Sequence, residues 1–93
     1  MEDGGSVKPG GNLFRSVRTR RVSEQIEQQL AAAIFAGKLK PGDRLPPERE
    51  LVERFEASRA SVREATRALE LAGLITIRPG AGGGAYVTTP DFD

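Results

Sequence analysis

LPPERELVERFEASRASVREATRALELAG, residues 45–73, is the stretch whose reading decides the fold. Leu45-Pro46-Pro47-Glu48 marks a helix start, because proline is tolerated in a first turn and the carboxylates of Glu48 and Glu50 suit the positive end of the helix dipole. Leu51, Val52 and Phe55 then form the apolar stripe of a short helix. Ser58 is placed to cap the next helix, accepting a hydrogen bond from a backbone N–H two or three residues on. Val62, Ala65, Thr66 and Leu69 share one face of that helix, and Gly73 ends it. Only Glu56 and Ala57 separate the two helices, which is the spacing of a helix-turn-helix.

The flanking residues complete the pattern. Upstream, Val22, Ile26, Leu30, Ala33 and Ile34 recur on one stripe of a 3.6-residue period, with Glu24, Gln25, Glu27 and Gln28 mostly opposite. A first helix is predicted over about Val17 to Ala36, with Gly37 at its C-terminal end and Pro41-Gly42 turning the chain. Downstream the period changes to two: Ile75-Thr76-Ile77-Arg78 and Ala85-Tyr86-Val87-Thr88 alternate around the loose glycine-rich tip of residues 79–84. Three helices and a two-stranded antiparallel hairpin in this order predict a mainly α winged helix-turn-helix over residues 14–89. Residues 1–13, rich in glycine and poor in apolar side chains, are expected to be a flexible tail, and residues 90–93 the start of a linker.

Composition removes several classes of function. The 93 residues include no Cys, His or Trp, so thiol and imidazole catalysis, Cys/His zinc sites and disulfide staples are excluded. Serine has no imidazole partner and the carboxylates sit on polar helix faces, which gives an enzyme active site little support. Leu30–Ala36 is the longest apolar run and is too short to span a bilayer, and the N-terminus lacks a signal-peptide core; a cytoplasmic location is expected. The aromatic side chains are spread thinly and read as core or edge residues, with no stacking platform for single strands.

The net charge of +1, from 14 basic and 13 acidic side chains, does not announce a nucleic-acid partner. Its distribution is more informative. Residues 1–21 hold five basic against two acidic side chains, with Arg15, Arg18, Arg20 and Arg21 forming a basic lead-in, whereas residues 48–57 hold four acidic against two basic. Arg59, Arg63 and Arg67 follow at i, i+4 and i+8 along one edge of the third helix. Like charges at that spacing destabilise an isolated helix. Arg67 has Glu64 and Glu70 three residues to either side, but Arg63 has no carboxylate three or four residues away. An uncompensated cationic edge at a helix start suits a phosphate backbone or the O6/N7 edge of guanine, and small Ala60 and Ser61 allow close approach. A solvated polar face is the competing reading. Arg49 either meets a phosphate or a base at the second helix N-terminus or pairs with Glu48 or Glu50. The glycines between two strands lack the strand-to-helix context of a nucleotide loop, which leaves a flexible hairpin or a wing entering the minor groove.

LPPERELVERF, SRASVREA and LELAGLI, in that order and spacing, closely resemble the GntR family of bacterial transcription regulators over about Val22 to Thr88. The tip RPGAGGGAYV and the phrase VREA are more similar to the FadR-type than to the HutC-type subfamily. The resemblance implies a winged helix-turn-helix that binds a pseudo-palindromic DNA operator as a homodimer, as part of a repressor. It implies DNA contacts at Arg49, Arg59, Ala60, Ser61 and Arg63, and a minor-groove approach at Gly80, with Arg67 peripheral; from the residues alone, Arg15 and Arg21 belong either to an arm touching phosphates or to the polar start of the first helix, and Arg78 beside the tip is a further peripheral candidate. It also implies that a metabolite, often with a metal, would bind a C-terminal effector domain absent from this chain; no cofactor is expected in the chain itself. The rival reading is a winged-helix protein-interaction module without sequence-specific DNA binding. Pro47 replaces a serine that could form a capping box with Glu50, Glu56 replaces a turn glycine, Ala60 replaces a polar residue, and Pro79 replaces a polar side chain before the wing glycine.

Overall fold

The computed structural model describes residues 17–89, in the order α1 (Val17–Phe35), α2 (Glu48–Phe55), α3 (Arg59–Leu71), β1 (Ile75–Arg78) and β2 (Gly84–Val87). The tail assigned to residues 1–13, the linker assigned to residues 90–93 and Arg15 lie outside the described residues. The three predicted helices and the hairpin are present, with α1 ending one residue earlier and β2 starting one residue earlier than the periodicity indicates. No helix among the described residues is long and apolar enough to cross a membrane.

All three helices close by the same pair of backbone hydrogen bonds. After α1, Lys38 N–H donates to Ala33 C=O (2.9 Å) and Gly37 N–H to Ile34 C=O (3.1 Å). After α2, Ala57 N–H donates to Val52 C=O (3.1 Å) and Glu56 N–H to Glu53 C=O (3.3 Å). After α3, Leu74 N–H reaches Leu69 C=O (2.9 Å) and Gly73 N–H reaches Glu70 C=O (3.0 Å). This Schellman closure needs a left-handed residue, which Gly37 and Gly73 supply without strain. At the turn between α2 and α3 the same position falls to Glu56, at φ 51° and ψ 47°. It is the one non-glycine residue with positive φ among the described residues.

The helix starts differ. Pro47 occupies the N-cap of α2 at φ −63° and contributes no side-chain hydrogen bond, as expected from the loss of a hydroxyl there. Ser58 caps α3, its Oγ accepting from Ser61 N–H at 3.1 Å. This bond starts α3 directly after the Glu56 turn, so the two helices are joined by only three residues.

Ile26 and Leu30 of α1, Leu51 of α2, Val62, Ala65 and Leu69 of α3, and Leu45, Ile75 and Val87 form one buried core. Val62 and Leu69 are the largest side chains wholly withdrawn from water, and each such burial contributes about 1.5–3 kcal/mol. Thr66 belongs only partly to this face, since its hydroxyl donates back to the α3 carbonyls of Val62 (3.1 Å) and Arg63 (3.0 Å). Phe55 packs against the core, whereas Phe35 at the end of α1 is exposed.

In the hairpin, Ile75 pairs with Val87 and both are buried, while Ile77, on the same face by the period-2 rule, is exposed because the wing projects beyond the helices. A pairing that the sequence pattern did not indicate braces the other edge of β2. Gly42 N–H donates to Val87 C=O, Val87 N–H to Asp43 C=O and Leu45 N–H to Ala85 C=O, all at 2.8–2.9 Å. The segment before α2 therefore acts as a third strand, with an isolated bridge between Arg44 and Tyr86.

The strain at Glu56 generates a prediction. A left-handed non-glycine residue costs about 1–2 kcal/mol, offset on replacement by about 0.4–1 kcal/mol of extra unfolded-chain entropy for glycine. Glu56→Gly is expected to raise stability by about 0.5–1 kcal/mol, read as a higher urea midpoint with an unchanged m-value.

Candidate nucleic-acid interface

Packing sets which face of α3 meets solvent. Ser61, Val62, Ala65 and Leu69 are buried, which leaves Arg59, Ala60, Arg63 and Arg67 exposed. Successive i+4 steps advance about 40° around a helix axis, so the arginine edge spirals across the exposed surface. Arg59, at its start, shares a shallow hollow with Arg49, Val52 and Glu53 of α2. Arg63 and Arg67 instead border an open cleft with Val17 and Arg20 of α1 and with Ala60 and Leu71 of α3. The predicted cationic edge thus lies between α1 and α2, with small Ala60 exposed in its middle.

The pairing of these cations reverses the expectation from local spacing. Arg63, which has no carboxylate within its own helix turn, donates through Nε to Glu48 Oε1 of α2 at 3.0 Å. Arg67, flanked by two glutamates in sequence, has no ion pair among the described residues. Helix spacing sees only neighbours along one helix, whereas Glu48 arrives from fifteen residues away because α2 crosses the start of α3. Arg49 does not pair with either neighbouring glutamate: Glu48 is bonded to Arg63, and Glu50 pairs with Arg54 at 2.6 Å. Arg49 and Arg59 are exposed cations without a carboxylate partner among the described residues. Arg20 pairs with Glu24 at 3.5 Å, and Arg21 is exposed further along α1.

Ser61 requires a correction. It is buried, its hydroxyl donating to Thr19 C=O of α1 at 3.5 Å and accepting from Ser58 Oγ at 3.1 Å. Two residues on a helix are about 200° apart, so Ser61 points into the α1–α3 interface when Arg59 points out. The small side chain permits close approach of α1, and Ala60 beside it is the small residue that stays exposed.

The glycine-rich tip is also more ordered than a loose hairpin. Arg44 donates through Nη2 to Gly83 C=O at 2.6 Å, Tyr86 Oη donates to Gly82 C=O at 2.8 Å, and Gly83 N–H donates to Gly80 C=O at 2.9 Å. Arg78 lies over the Tyr86 ring, 4.2 Å from its centroid, a cation–π contact that holds it on the wing. Gly80 is exposed at the tip with φ +87° and open space around its Cα. Gly83 is sterically required, because a Cβ there would meet the carbonyl oxygens of Arg78, Gly80 and Pro79. Sequence reasoning missed Arg44 and Glu48 as organisers of this surface. A cation just after Pro41-Gly42 and a glutamate at a helix start were the visible signals, but their partners lie 39 and 15 residues away.

Comparison with known proteins gives this surface a context. Residues 22–87 match the family model described as bacterial regulatory proteins, gntR family. The chain is 42% identical over 67 residues to the HTH-type transcriptional regulator Mce2R of Mycobacterium tuberculosis (strain CDC 1551 / Oshkosh), covering 72% of this chain and 28% of that protein. It is 39% identical over 79 residues to the HTH-type transcriptional repressor NanR of Klebsiella aerogenes, covering 85% of this chain and 30% of that one. The chain therefore spans less than a third of the length of these relatives. Among solved structures, the DNA-binding domain of AraR in complex with operator ORR3 superposes with a TM-score of 0.66 at 31% identity, covering 72% of this chain and 78% of that chain.

The wing geometry predicts unequal tolerance of alanine at two nearby glycines. Gly83→Ala is expected to open the tip and abolish exchange protection of the residue 83 amide, while Gly80→Ala, with open space, keeps it. Gly80→Ala puts a Cβ on left-handed backbone at φ +87° and is expected to cost about 1–2 kcal/mol of stability, and Gly83→Ala to cost at least as much by displacing the tip carbonyls. Amide hydrogen exchange followed by NMR checks both outcomes.

Proposed function

The chain belongs to the gntR family of bacterial regulatory proteins, and from that premise we propose that it binds double-stranded DNA sequence-specifically, two copies to a pseudo-palindromic operator, as the DNA-reading domain of a repressor. The observation that carries this reading is the exposed arginine edge of Arg49, Arg59, Arg63 and Arg67 around Ala60, on the second helix of the helix-turn-helix and the start of the first. In it α3 enters the major groove with Arg59 and Arg63 directed at base edges, and Arg49 meets phosphate at the N-terminus of α2. Gly80 and the wing follow the adjacent minor groove, with Arg21, Arg67 and Arg78 peripheral. Ser61 sets the seat of α3 on α1 and contacts no DNA. Such a role places the protein in the cytoplasm with its operator. Recognition of a small metabolite, with or without a metal ion, is assigned to a C-terminal effector domain of the whole regulator.

The test is binding of the chain to a duplex enriched from a randomised library, against a shuffled duplex. Arg63→Ala is expected to weaken the enriched duplex by about 1–3 kcal/mol and relax base preference, whereas Arg49→Ala weakens both duplexes alike and lowers the salt slope by about one. Unchanged affinity in Arg63→Ala would remove the base-reading assignment. Shuffled-duplex affinity that does not fall with salt would favour a protein-interaction module instead, because neutralising phosphates releases counterions.

A further inference from the structure

Resting on that reading of the arginine edge, we infer that Glu48 is a positioning residue for Arg63 and sets the discrimination of the interface between its preferred duplex and other DNA. Arg63 is two-thirds exposed and reaches outward from α3, where an unrestrained guanidinium samples many rotamers. The bond from its Nε to Glu48 Oε1 uses the inner edge of the guanidinium and leaves the Nη1/Nη2 edge as a fork. That fork is the shape that bonds guanine O6 and N7 together. Glu48 is itself held where the positive end of the α2 dipole favours a carboxylate, and its side chain is more buried than that of Arg63. The pair therefore ties an exposed reader to a fixed point on the neighbouring helix.

The charge of Glu48 acts a second way. Phosphate oxygens are repelled by a carboxylate next to Arg63, so the arginine is a poorer general phosphate binder than an isolated cation. Contacts with a base edge, made by the outer fork, keep their geometry. Glu48 thus lowers affinity for DNA in general while supporting the base-directed contact. Nearby Arg49, Arg59 and Arg67, without carboxylate partners among the described residues, retain the attraction to the backbone. Discrimination then arises from a paired arginine set among unpaired ones.

The test uses the full chain and measures affinity for the library-enriched duplex and its shuffled counterpart, with circular dichroism to verify folding. Glu48→Ala is expected to lower the ratio of the two affinities by at least about fivefold while raising shuffled-duplex affinity by about two- to fivefold. Glu48→Gln keeps an oxygen for Arg63 Nε, so its ratio stays within about twofold of the starting protein although shuffled-duplex affinity still rises. In an Arg63→Ala background, Glu48→Ala leaves the ratio unchanged, as expected for a residue acting through Arg63. An equal loss on both duplexes would overturn the inference by showing a purely structural role. An equal gain on both would overturn it in favour of a simple charge brake. If the unaltered chain enriched no preferred duplex, the sequence-specific reading would fail first and this inference with it.

Discussion

The contact of α3 with α1 is the constraint on which the rest of the molecule depends. Val62 and Leu69 are wholly withdrawn from water and Ala65 nearly so, with Ile26 and Leu30 in the same core. Because these side chains lock the rotation of α3 about its own axis, they also fix the outward direction of Arg59, Ala60, Arg63 and Arg67. A rotation of one residue, about 100°, would turn charged side chains into the core and core side chains into solvent. Ser61 is buried in the same interface, its hydroxyl facing Thr19 C=O of α1 and Ser58 Oγ.

The near-neutral charge of the chain takes on a different meaning once its side chains are placed. Acidic residues of α2 are not a uniform counterweight to the basic ones: Glu50 is used by Arg54 within its helix, and Glu48 crosses to Arg63. Both pairs are largely exposed, so their worth for stability is small, at most about 1 kcal/mol each. Their effect is geometric. They engage the two glutamates adjacent to Arg49 in sequence, and Arg49 and Arg59 share the α2–α3 hollow with Glu53 without an ion pair among the described residues.

The wing obeys a similar economy. Two four-residue strands are too short to be stable alone. Their stability comes from Ile75 and Val87 reaching the core, from the third strand before α2, and from Arg44 and Tyr86 bonding the carbonyls of the glycine tip. Glycine at position 83 allows the chain to fold that tightly, and Arg78 is retained on the ring of Tyr86. The same segment, residues 42–45, thus braces the wing and leads into α2, which links the two parts of the candidate interface by main-chain hydrogen bonds.

Local information in the sequence determined the helices, their ends and the hairpin, because each follows from side-chain period, proline and glycine backbone limits, or a serine cap acting over a few residues. It also singled out the arginine edge, which the structure contains, while the family resemblance marked Glu56 as standing in for a turn glycine and the structure finds it left-handed. Contacts between distant residues were beyond it. Whether Arg63 or Arg67 would be paired, whether Ser61 faced outward, and whether the glycine tip was loose all depended on where α1, α2 and residue 44 lie in space. Only the tertiary structure decided those points, because a hydrogen bond or ion pair depends on separations of a few ångströms, and burial of apolar faces brings together partners 15 to 42 residues apart along the chain.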